Sequence, residues 1–553
     1  MILRFAATPL RGDCILRIPT IDQIAGPRLR SLPRTQKWRD QDARRISTAK
    51  SLDKLIGIAR TSSAICLRFI GRASLLTAAA LYGQPAPNIT IHWDKVIVVS
   101  KSTPTLQVVV NPRLRHGDPL SAAAYKAVNE LGADYVRFVP WLPYPRLAVA
   151  ELEPPTPQET SWNFNLIDPM MKDFLDATAG HSTILNFSTL PAWLFKTGQP
   201  VPYAPDPDQV NWNYTQGTEL RDSSGKEVGD YYARLVSWYI NGGFTDENGV
   251  RHRSGYHYKL PYWEVLNEVD FEHNTTPEQY TERYDAIVGA IHQVSPETKF
   301  VGLALAMPGV APRFFEYFLD HKNHRPNAPL DMISYHFYAS PSAGQTLDSW
   351  QYTFFDQEAG FLNTVRFVEA IRKRLSPETR TDIDELGAIL PTDNKPGDNI
   401  PPPPLYWNLA GALYADLFIE LSRLEIDVIG ESQLIGYPTQ FPSVSMMDWT
   451  TNRPNARFWV LKLIKDTFHP GDQLVKTSIG SPDVVAQGFV TPAGHKLLVV
   501  NKRNHAIEIL LPDAEKATAL TVDSEAAEGP ARSVNLTGER IKLEPFAVTV
   551  VSW

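Results

Sequence analysis

The chain has 553 residues, of which 43% are hydrophobic and 21% are charged, and its formal net charge is −7 at pH 7. These values exclude a fibrous or disordered protein and indicate a globular chain long enough for more than one domain. Residues 1–80 carry 15 Lys or Arg against 5 Asp or Glu, a net charge of +10, which leaves −17 for residues 81–553. So acidic a body argues against nucleic acid as a partner, because binding phosphates requires a basic face.

Residues 1–86 are predicted to be an N-terminal extension. Both cysteines, Cys14 and Cys66, lie there, so the body can form no disulfide, cysteine metal site or thiol nucleophile. Basic residues precede the apolar run Ala73–Tyr82 and small residues follow it, which is the order of an export signal. Either this signal begins a shorter secreted or periplasmic protein whose start codon is placed too early, or the segment is a disordered extension with one apolar helix. No other run has the length of a membrane span.

Short apolar strands alternate with amphipathic helices eight times between residues 104 and 470. This alternation predicts parallel strands covered by helices, and eight such units match a (β/α)8 barrel. A doubly wound open sheet is the competing arrangement, but the first strand is followed by no Gly-x-Gly-x-x-Gly turn. The predicted strands are Leu106–Asn111, Asp134–Val139, Thr183–Ser188, Tyr262–Leu266, Lys299–Leu305, Met332–Phe337, Thr381–Glu385 and Asp427–Glu431. The predicted helices are Ala122–Leu131, Ile167–Ala177, Gly229–Asn241, Pro277–Gln293, Pro312–Asp320, Gly360–Arg374, Tyr406–Leu421 and Ala456–Asp466.

Two connections in the predicted barrel are long. They follow the third strand, at Phe195–Glu227, and the seventh strand, at Leu386–Pro404. Both leave the carboxyl ends of strands, where barrel active sites lie. Closed over the mouth of the barrel these loops form a pocket, and splayed apart they leave a groove.

Residues 471–553 are predicted to form an accessory β-sandwich. Short strands at Leu497–Asn501, Ile507–Leu511 and Ala547–Val551 are separated by turn residues. The apolar segment Thr90–Ser100, within residues 87–103, is expected to join the same sandwich from before the barrel.

Two of the predicted barrel strands end in carboxylates. The fourth strand closes on Asn267 and Glu268, and the seventh closes on Asp384 and Glu385. These strands lie across the barrel from each other, so their carboxylates can flank a bond held between them. Glycosidic cleavage requires this geometry: one carboxylic acid protonates the leaving oxygen, while the other carboxylate attacks the anomeric carbon. Glu264, earlier in the fourth strand, is expected inside the barrel, bonded to a neighbouring Arg.

The residues at these strand ends resemble clan A of the glycoside hydrolases, and within it family 39, which includes β-xylosidases and α-L-iduronidases. The resemblance implies a retaining glycoside hydrolase that cleaves a plant or microbial poly- or oligosaccharide. It assigns the general acid/base to Glu268, the nucleophile to Glu385 and the hydrogen bond to the sugar 2-hydroxyl to Asn267. Asp384 is the rival of Glu385, because a slip of one residue exchanges their faces. The segments that match are Tyr135–Phe138, Trp162–Asp168, Trp263–Asp270, Asp331–Tyr338 and Asp382–Gly387.

Three further residues are candidates for the substrate site. His336 and Tyr338 end the sixth strand, where they either hold the nucleophile ionised by hydrogen bonding or belong to a buried aromatic cluster. Arg137 ends the second strand, where it pairs with the nucleophile, binds substrate or forms a structural ion pair.

The sequence also departs from the family. Val139 stands where a sugar-contacting His is common, and Trp141 or Tyr144 can substitute for that His by stacking on the sugar. Val269 replaces the proline that usually follows the acid/base, and residues 431–433 (Glu-Ser-Gln) replace the stacking Trp of many clan members.

Other classes of function leave no signal in the sequence. No His, Asp and Glu cluster has metal-ligand spacing, and no Gly-x-Ser-x-Gly elbow is present, so the expected mechanism uses neither metal nor cofactor. A catalytically inactive carbohydrate-binding barrel is the alternative function, although such a protein has no need of both Glu268 and Glu385. A Schiff-base lyase or aldolase would need a lysine at a strand end, and none of the eight predicted strands ends in one.

Overall fold

The computed structural model describes residues 86–214, 217–393, 401–526 and 528–553. The predicted extension with its signal segment lies outside these residues, apart from residue 86. None of the helices in the described ranges combines the length and apolar composition that crossing a lipid bilayer requires.

The described residues alternate between strands and helices before they end in a run of strands. The strands are β1 (Ile89–Val99), β2 (Thr103–Val109), β3 (Val136–Val139), β4 (Thr183–Leu185), β5 (Gly243–Thr245), β6 (Arg251–Arg253), β7 (Tyr262–Glu264), β8 (Lys299–Leu305), β9 (Met332–Ala339), β10 (Arg380–Ala388), β11 (Val428–Glu431), β12 (Met447–Asp448), β13 (Arg453–Pro454), β14 (Gln473–Ile479), β15 (Val484–Thr491), β16 (Gly494–Asn501), β17 (Ile507–Leu510), β18 (Thr518–Val522), β19 (Arg532–Asn535), β20 (Arg540–Leu543) and β21 (Val548–Ser552). The helices are α1 (Pro119–Leu131), α2 (Pro145–Ala148), α3 (Ile167–Ala177), α4 (Lys226–Ile240), α5 (Pro277–Val294), α6 (Pro312–Phe318), α7 (Leu347–Leu375), α8 (Leu405–Arg423) and α9 (Ala456–Thr467).

Eight parallel strands close into a barrel. In chain order they are β2, β3, β4, β7, β8, β9, β10 and β11, and β11 pairs with β2 to complete the ring. Each of the eight predicted strands coincides with one of these strands. The predicted fold class, a (β/α)8 barrel with an accessory β domain, is confirmed.

The predicted helices are also present, with one clear error in a boundary. Helix α7 begins at Leu347, well before the predicted start at Gly360. The Ser349 hydroxyl accepts a hydrogen bond from the N–H of Thr346 at 3.1 Å. This contact belongs to a capping box that marks the true beginning of the helix. Gly360 lies exposed within the helix, so the predicted helix start at this glycine is wrong.

The seven-stranded antiparallel sheet has the order β1-β14-β15-β16-β21-β18-β19, and β17 and β20 form a separate two-stranded sheet. Alternation along β16 sends Leu498 and Val500 into the barrel core, and Leu497 and Val499 into a second core shared with the small sheet. The strand β1 lies at the edge of the large sheet, antiparallel to β14. The accessory domain is therefore layered, with barrel helices on one face of the large sheet and two strands on the other.

The barrel interior is apolar at one end and charged at the other. Near the amino-terminal ends of the strands, five buried side chains pack together: Ile184, Tyr262, Val301, Met332 and Val428. Towards the carboxyl ends the buried side chains are polar, and Arg137, Glu264 and Asp384 are each at most 2% exposed. The charged layer therefore rests on an apolar floor and faces the mouth of the barrel.

The packing of α4 against α5 provides a test of the barrel's outer layer. A Cβ added at Gly229 on α4 would lie 2.8 Å from the carbonyl oxygen of Ala286, whereas a Cβ at Gly360 on α7 would meet nothing within 4 Å. We expect Gly229→Ala to lower the free energy of unfolding by about 1–3 kcal/mol, because the helices must move apart. The control Gly360→Ala should raise that free energy by about 0.5–1 kcal/mol through helix propensity. Urea denaturation checks both values, and equal effects of the two substitutions would contradict the packing argument.

Candidate active site

Neighbouring residues of β10 both face the inside of the barrel. Asp382 pairs with Ser334 of β9, and Glu385 pairs with His336. β10 therefore advances by three residues while β9 advances by two, so β10 contains one extra residue, a β-bulge. This bulge lets Asp384 and Glu385 enter the interior together, which strict alternation forbids. The bulge requires a glycine on the next strand, because a Cβ at Gly430 would lie 2.9 Å from the carbonyl oxygen of Asp384. From the sequence, Asp384 and Glu385 are alternatives for one position, whereas in the structure both lie against Arg137.

Arg137, within β3, is the cation that these acids surround. Its Nη1 donates to Oε1 of Glu385 at 2.6 Å, and its Nε donates to Oε2 of Glu264 at 2.5 Å. The same Nε lies 3.0 Å from Oδ2 of Asp384, and Nη2 donates to Oδ1 of Asn267 at 2.7 Å. Burial opposes the charge of Arg137, but attraction by Asp384, Glu264 and Glu385 outweighs it and raises the guanidinium pKa. Pairing with the nucleophile and forming a structural ion pair are alternatives for Arg137 from the sequence alone. In the structure Arg137 forms both, with Glu385 and with Glu264.

Glu264 lies beneath the mouth and is 1% exposed. Besides Arg137, it accepts hydrogen bonds from Asn186 at 2.6 Å and from the Ser334 hydroxyl at 2.5 Å. Burial is the main cause that raises the pKa of Glu264 to about 7, although Arg137 opposes the shift. The expectation that Glu264 bonds to an interior arginine is confirmed, and this carboxyl supports the site from below.

Tyr338, near the end of β9, holds the second oxygen of Glu385. Its hydroxyl donates to Oε2 of Glu385 at 2.6 Å and contacts the Ser432 hydroxyl at the same distance. Gln107 donates to that Ser432 hydroxyl at 2.6 Å. Both oxygens of Glu385 thus accept hydrogen bonds from fixed donors, an arrangement that orients its carboxylate.

His336 lies between Glu268, in the turn after β7, and the two acids of β10. Its Nδ1 is 3.2 Å from Oε1 of Glu268 and 3.5 Å from Oε2 of Glu385, and its Nε2 is 3.5 Å from Oδ1 of Asp384. Burial disfavours the charged imidazole, but Glu385 and Asp384 outweigh burial and raise its pKa well above the ordinary value. The ring is 1% exposed and contacts acids rather than an aromatic cluster.

Glu268 reaches the mouth from the turn after β7. Its backbone φ is +43°, a left-handed conformation that is strained for a residue with a side chain, and its N–H donates to the Ala304 carbonyl at 2.8 Å. Its side chain is 18% exposed, against 10% for Glu385. Burial raises the pKa of Glu268, and the charge of Glu385 adds to the increase while His336 opposes it.

The two mouth carboxyls are close together. A Glu268 oxygen, a Glu385 oxygen and a His336 nitrogen all lie within 4.8 Å of one another. Such a trio of ligand atoms could hold a metal ion, although the sequence predicts a reaction without one. The same spacing also suits two carboxyls that act on one bond.

Glu272 is a site residue that the sequence analysis missed. Its Oε1 accepts hydrogen bonds from Trp141 Nε1 at 2.6 Å and from Asn267 Nδ2 at 3.0 Å. Burial and the nearby charge of Glu268 raise the pKa of Glu272 to about 8. It belongs to the irregular loop after β7, where strand alternation could not indicate the direction of a side chain.

Half-buried aromatic rings flank the mouth beside Trp141. The ring centroid of Trp141 lies 5.5 Å from that of Trp212 and 6.0 Å from that of Phe441, on loops that follow β4 and β11. Tyr144, the other stacking candidate, is 1% exposed and its hydroxyl bonds to Tyr437 and Thr439. Tyr144 is therefore part of the loop packing, and Trp141 remains the ring at the mouth.

Three positions that depart from the pattern of family 39 are buried. Val139 and Val269 are buried, at 1% and 0% exposure. Glu431 accepts a hydrogen bond from Arg457 at 2.9 Å in a buried ion pair, and burial raises the pKa of Glu431 to about 7. Glu431 thus contacts α9 on the outside of the barrel, and the strand contributes Ser432 to the site instead.

Solved glycosidases share this fold. A glucosidase from Croceicoccus marinus is 15% identical with a TM-score of 0.53, and the match covers 84% of this chain and 98% of that one. An alpha-L-arabinofuranosidase from Thermotoga maritima, in complex with arabinose, is 14% identical with a TM-score of 0.55 over 85% of this chain and 100% of that one. A GH30 endoxylanase from Clostridium papyrosolvens C71 is 12% identical with a TM-score of 0.50 over 84% and 99%. No protein-family model matches the sequence, and a search of curated proteins finds no match.

The charge cluster around Arg137 can be tested through its pH dependence. We expect Arg137→Met to lower the free energy of unfolding by about 3–5 kcal/mol at pH 7, because the substitution leaves buried carboxylates without their cation. Although burial acts the other way, Arg137 and His336 hold the pKa of Asp384 below its ordinary value, so the stabilisation is present above that value and is lost as the pH falls through the lowered pKa. The deficit of the variant should therefore shrink on acidification.

Chemical denaturation from pH 7 down to a pH below the lowered pKa of Asp384 measures this deficit. The surface variant Arg115→Met is the control, because Arg115 and its partner Asp208 are about a third or more exposed and such pairs contribute about 1 kcal/mol or less. A deficit of Arg137→Met that stays constant with pH would refute the assignment of Arg137 as the counter-charge.

Proposed function

We propose that the protein is a retaining glycoside hydrolase that cleaves a plant or microbial poly- or oligosaccharide by double displacement. The observation that carries the proposal is the pair of mouth carboxyls, Glu268 and Glu385, whose oxygens lie within 4.8 Å. Retaining glycosidases separate their two carboxyls by about 5–5.5 Å, and inverting ones by about 6.5–9.5 Å to admit a water. One oxygen of each carboxyl approaches the other to 4.8 Å or less, which is below the inverting range and supports direct attack by one carboxylate on the sugar.

The environments of the two carboxyls support distinct roles. Glu385 accepts hydrogen bonds from Arg137 and Tyr338 on both of its oxygens, so its carboxyl is fixed in position to act as the nucleophile on the anomeric carbon. Glu268 is more exposed, and its raised pKa suits a carboxylic acid that protonates the leaving oxygen. After the aglycone leaves, the ionised Glu268 takes a proton from water, and that water then attacks the glycosyl ester on Glu385.

The remaining site residues position the sugar and the nucleophile. His336, charged by its acidic neighbours, stabilises the carboxylate form of each mouth acid in turn as the proton leaves Glu268 and returns. Asn267 presents its amide towards the hydroxyl next to the anomeric carbon, and Trp141 offers a ring on which a sugar face can stack. These roles agree with those that the resemblance to family 39 implies.

A catalytically inactive carbohydrate-binding barrel remains the second candidate function. It would keep the aromatic mouth but would not need an acid and an ionised carboxylate on either side of one bond. A screen of aryl xylosides, arabinosides, glucosides, galactosides, fucosides and iduronides separates the two, with the anomer of the product followed by NMR. Release of a product with the configuration of the substrate supports the proposal, and binding without release supports the inactive barrel.

The nucleophile can be identified by chemical rescue. Glu385→Ala should abolish turnover, and added azide or formate should restore part of it by attack from the vacated face, giving a glycosyl product of inverted configuration. Asp384→Ala is the matched control, because Asp384 neighbours Glu385 on β10 but contacts Arg137 and His336 below the mouth. The control should lose activity without rescue. Rescue of the Asp384 variant instead would move the nucleophile by one residue.

The acid/base can be identified by leaving-group dependence. Glu268→Ala should lower kcat/KM by about 10²–10⁴-fold for poor leaving groups and far less for activated aryl glycosides, which need little protonation. Activity of the wild-type protein should fall as the pH rises through the raised pKa of Glu268, because the acid must be protonated to act. Equal losses on activated and unactivated substrates would refute the role of Glu268.

A further inference from the structure

Asn267 is held at both ends of its side-chain amide. Its Oδ1 accepts a hydrogen bond from Arg137 Nη2 at 2.7 Å, and its Nδ2 donates to Glu272 Oε1 at 3.0 Å. The residue is 3% exposed. One N–H of the amide remains uncommitted in these contacts.

The chemistry of the two partners permits only one orientation of this amide. A guanidinium has donors and no acceptor, so the end of Asn267 that faces Arg137 must be the oxygen. The nitrogen then faces Glu272, whose carboxyl oxygen accepts. Turning the amide over would bring its nitrogen against Arg137, donor to donor, and its oxygen against Oε1 of Glu272, acceptor to acceptor.

Glu272 is suited to accept in this way at any pH near neutrality. Its Oε1 receives two donors, Trp141 Nε1 at 2.6 Å and Asn267 Nδ2 at 3.0 Å, whereas its buried Oε2 makes no hydrogen bond to any described residue. When the carboxyl is protonated, the proton therefore resides on Oε2 and leaves Oε1 as an acceptor. Burial and Glu268 raise the pKa of Glu272 to about 8, but ionisation does not change what Oε1 offers to Asn267.

We propose that Glu272 is a positioning residue that keeps the Asn267 amide turned so that its remaining N–H meets the sugar hydroxyl adjacent to the anomeric carbon. This inference rests on the proposed function, because it takes Asn267 to face the bound sugar. It makes Glu272 a determinant of selectivity for sugars that carry this 2-hydroxyl. A merely structural role, in which Glu272 only anchors Trp141 and the loop, would affect all sugars alike.

The test compares each sugar with its 2-deoxy analogue. Glu272→Met keeps the approximate size of the side chain and removes the acceptor, so the preference for the 2-hydroxyl should fall by about tenfold, the value of one hydrogen bond. Glu272→Gln retains a carbonyl acceptor and should preserve the preference. Trp141→Phe removes the other donor to Oε1 and leaves the Asn267 contact, so it should also preserve the preference, whatever it does to affinity.

Two readouts are needed. The first is the ratio of kcat/KM for the aryl glycoside that is cleaved best to that of its 2-deoxy analogue. The second is the ratio of the affinities for D-glucose and 2-deoxy-D-glucose, and for D-galactose and 2-deoxy-D-galactose, measured by calorimetry on the full chain. The affinity ratio does not require turnover.

The outcomes separate this inference from the proposed function. A wild-type protein that prefers the 2-hydroxyl, loses that preference in Glu272→Met and hydrolyses no glycoside would sustain the inference and reject the glycosidase. A glycosidase whose Glu272→Met variant weakens both sugars equally would reject the inference and leave the reaction intact. A wild-type protein without any preference for the 2-hydroxyl would also overturn the role of Glu272.

Discussion

The guanidinium of Arg137 is the interaction on which the active site depends. It is 1% exposed and contacts side chains from β2, β7, β10 and the turn after β7: Gln107, Glu264, Asp384, Glu385 and Asn267. A planar fork with five N–H donors can serve so many acceptors from one point, which an ammonium cannot do. The cost of burying this charge is offset because three carboxylates share it. The positions of the acids are therefore coupled to one another through a single side chain.

This coupling gives the two mouth acids different surroundings. Glu385 lies against Arg137 and the Tyr338 hydroxyl, whereas Glu268 has only His336 at 3.2 Å and lies in a buried setting that raises its pKa. Although burial opposes the charge, attraction by Glu385 and Asp384 raises the pKa of His336 well above its ordinary value. Two carboxyls of one chemical type thus differ in their hydrogen-bond partners and exposure, a difference that the proposed acid and nucleophile roles require.

The sequence was sufficient to predict what regular strands determine. Barrel strands carry their active residues at their carboxyl ends, so Glu268, Glu385, His336, Tyr338 and Arg137 could be proposed from the strand pattern and the resemblance, and the structure brings all five together. Irregular backbone could not be predicted in the same way. The bulge that turns Asp384 inwards depends on Gly430 of a neighbouring strand, and no local pattern reports a contact of that kind.

Glu272 and the aromatic rings around Trp141 escaped prediction for a related reason. They lie on loops whose side-chain directions follow from tertiary contacts, such as the bond from Trp141 to Glu272, rather than from a period in the sequence. Residues on the barrel strands and residues on these loops therefore contribute differently to the site. In the proposed reaction the chemistry is assigned to strand ends that the barrel holds at fixed separations, and contact with the sugar is assigned to loop residues that meet above them. If that assignment holds, substitutions in those loops change which sugar is accepted while the carboxyl pair and its arginine keep their geometry.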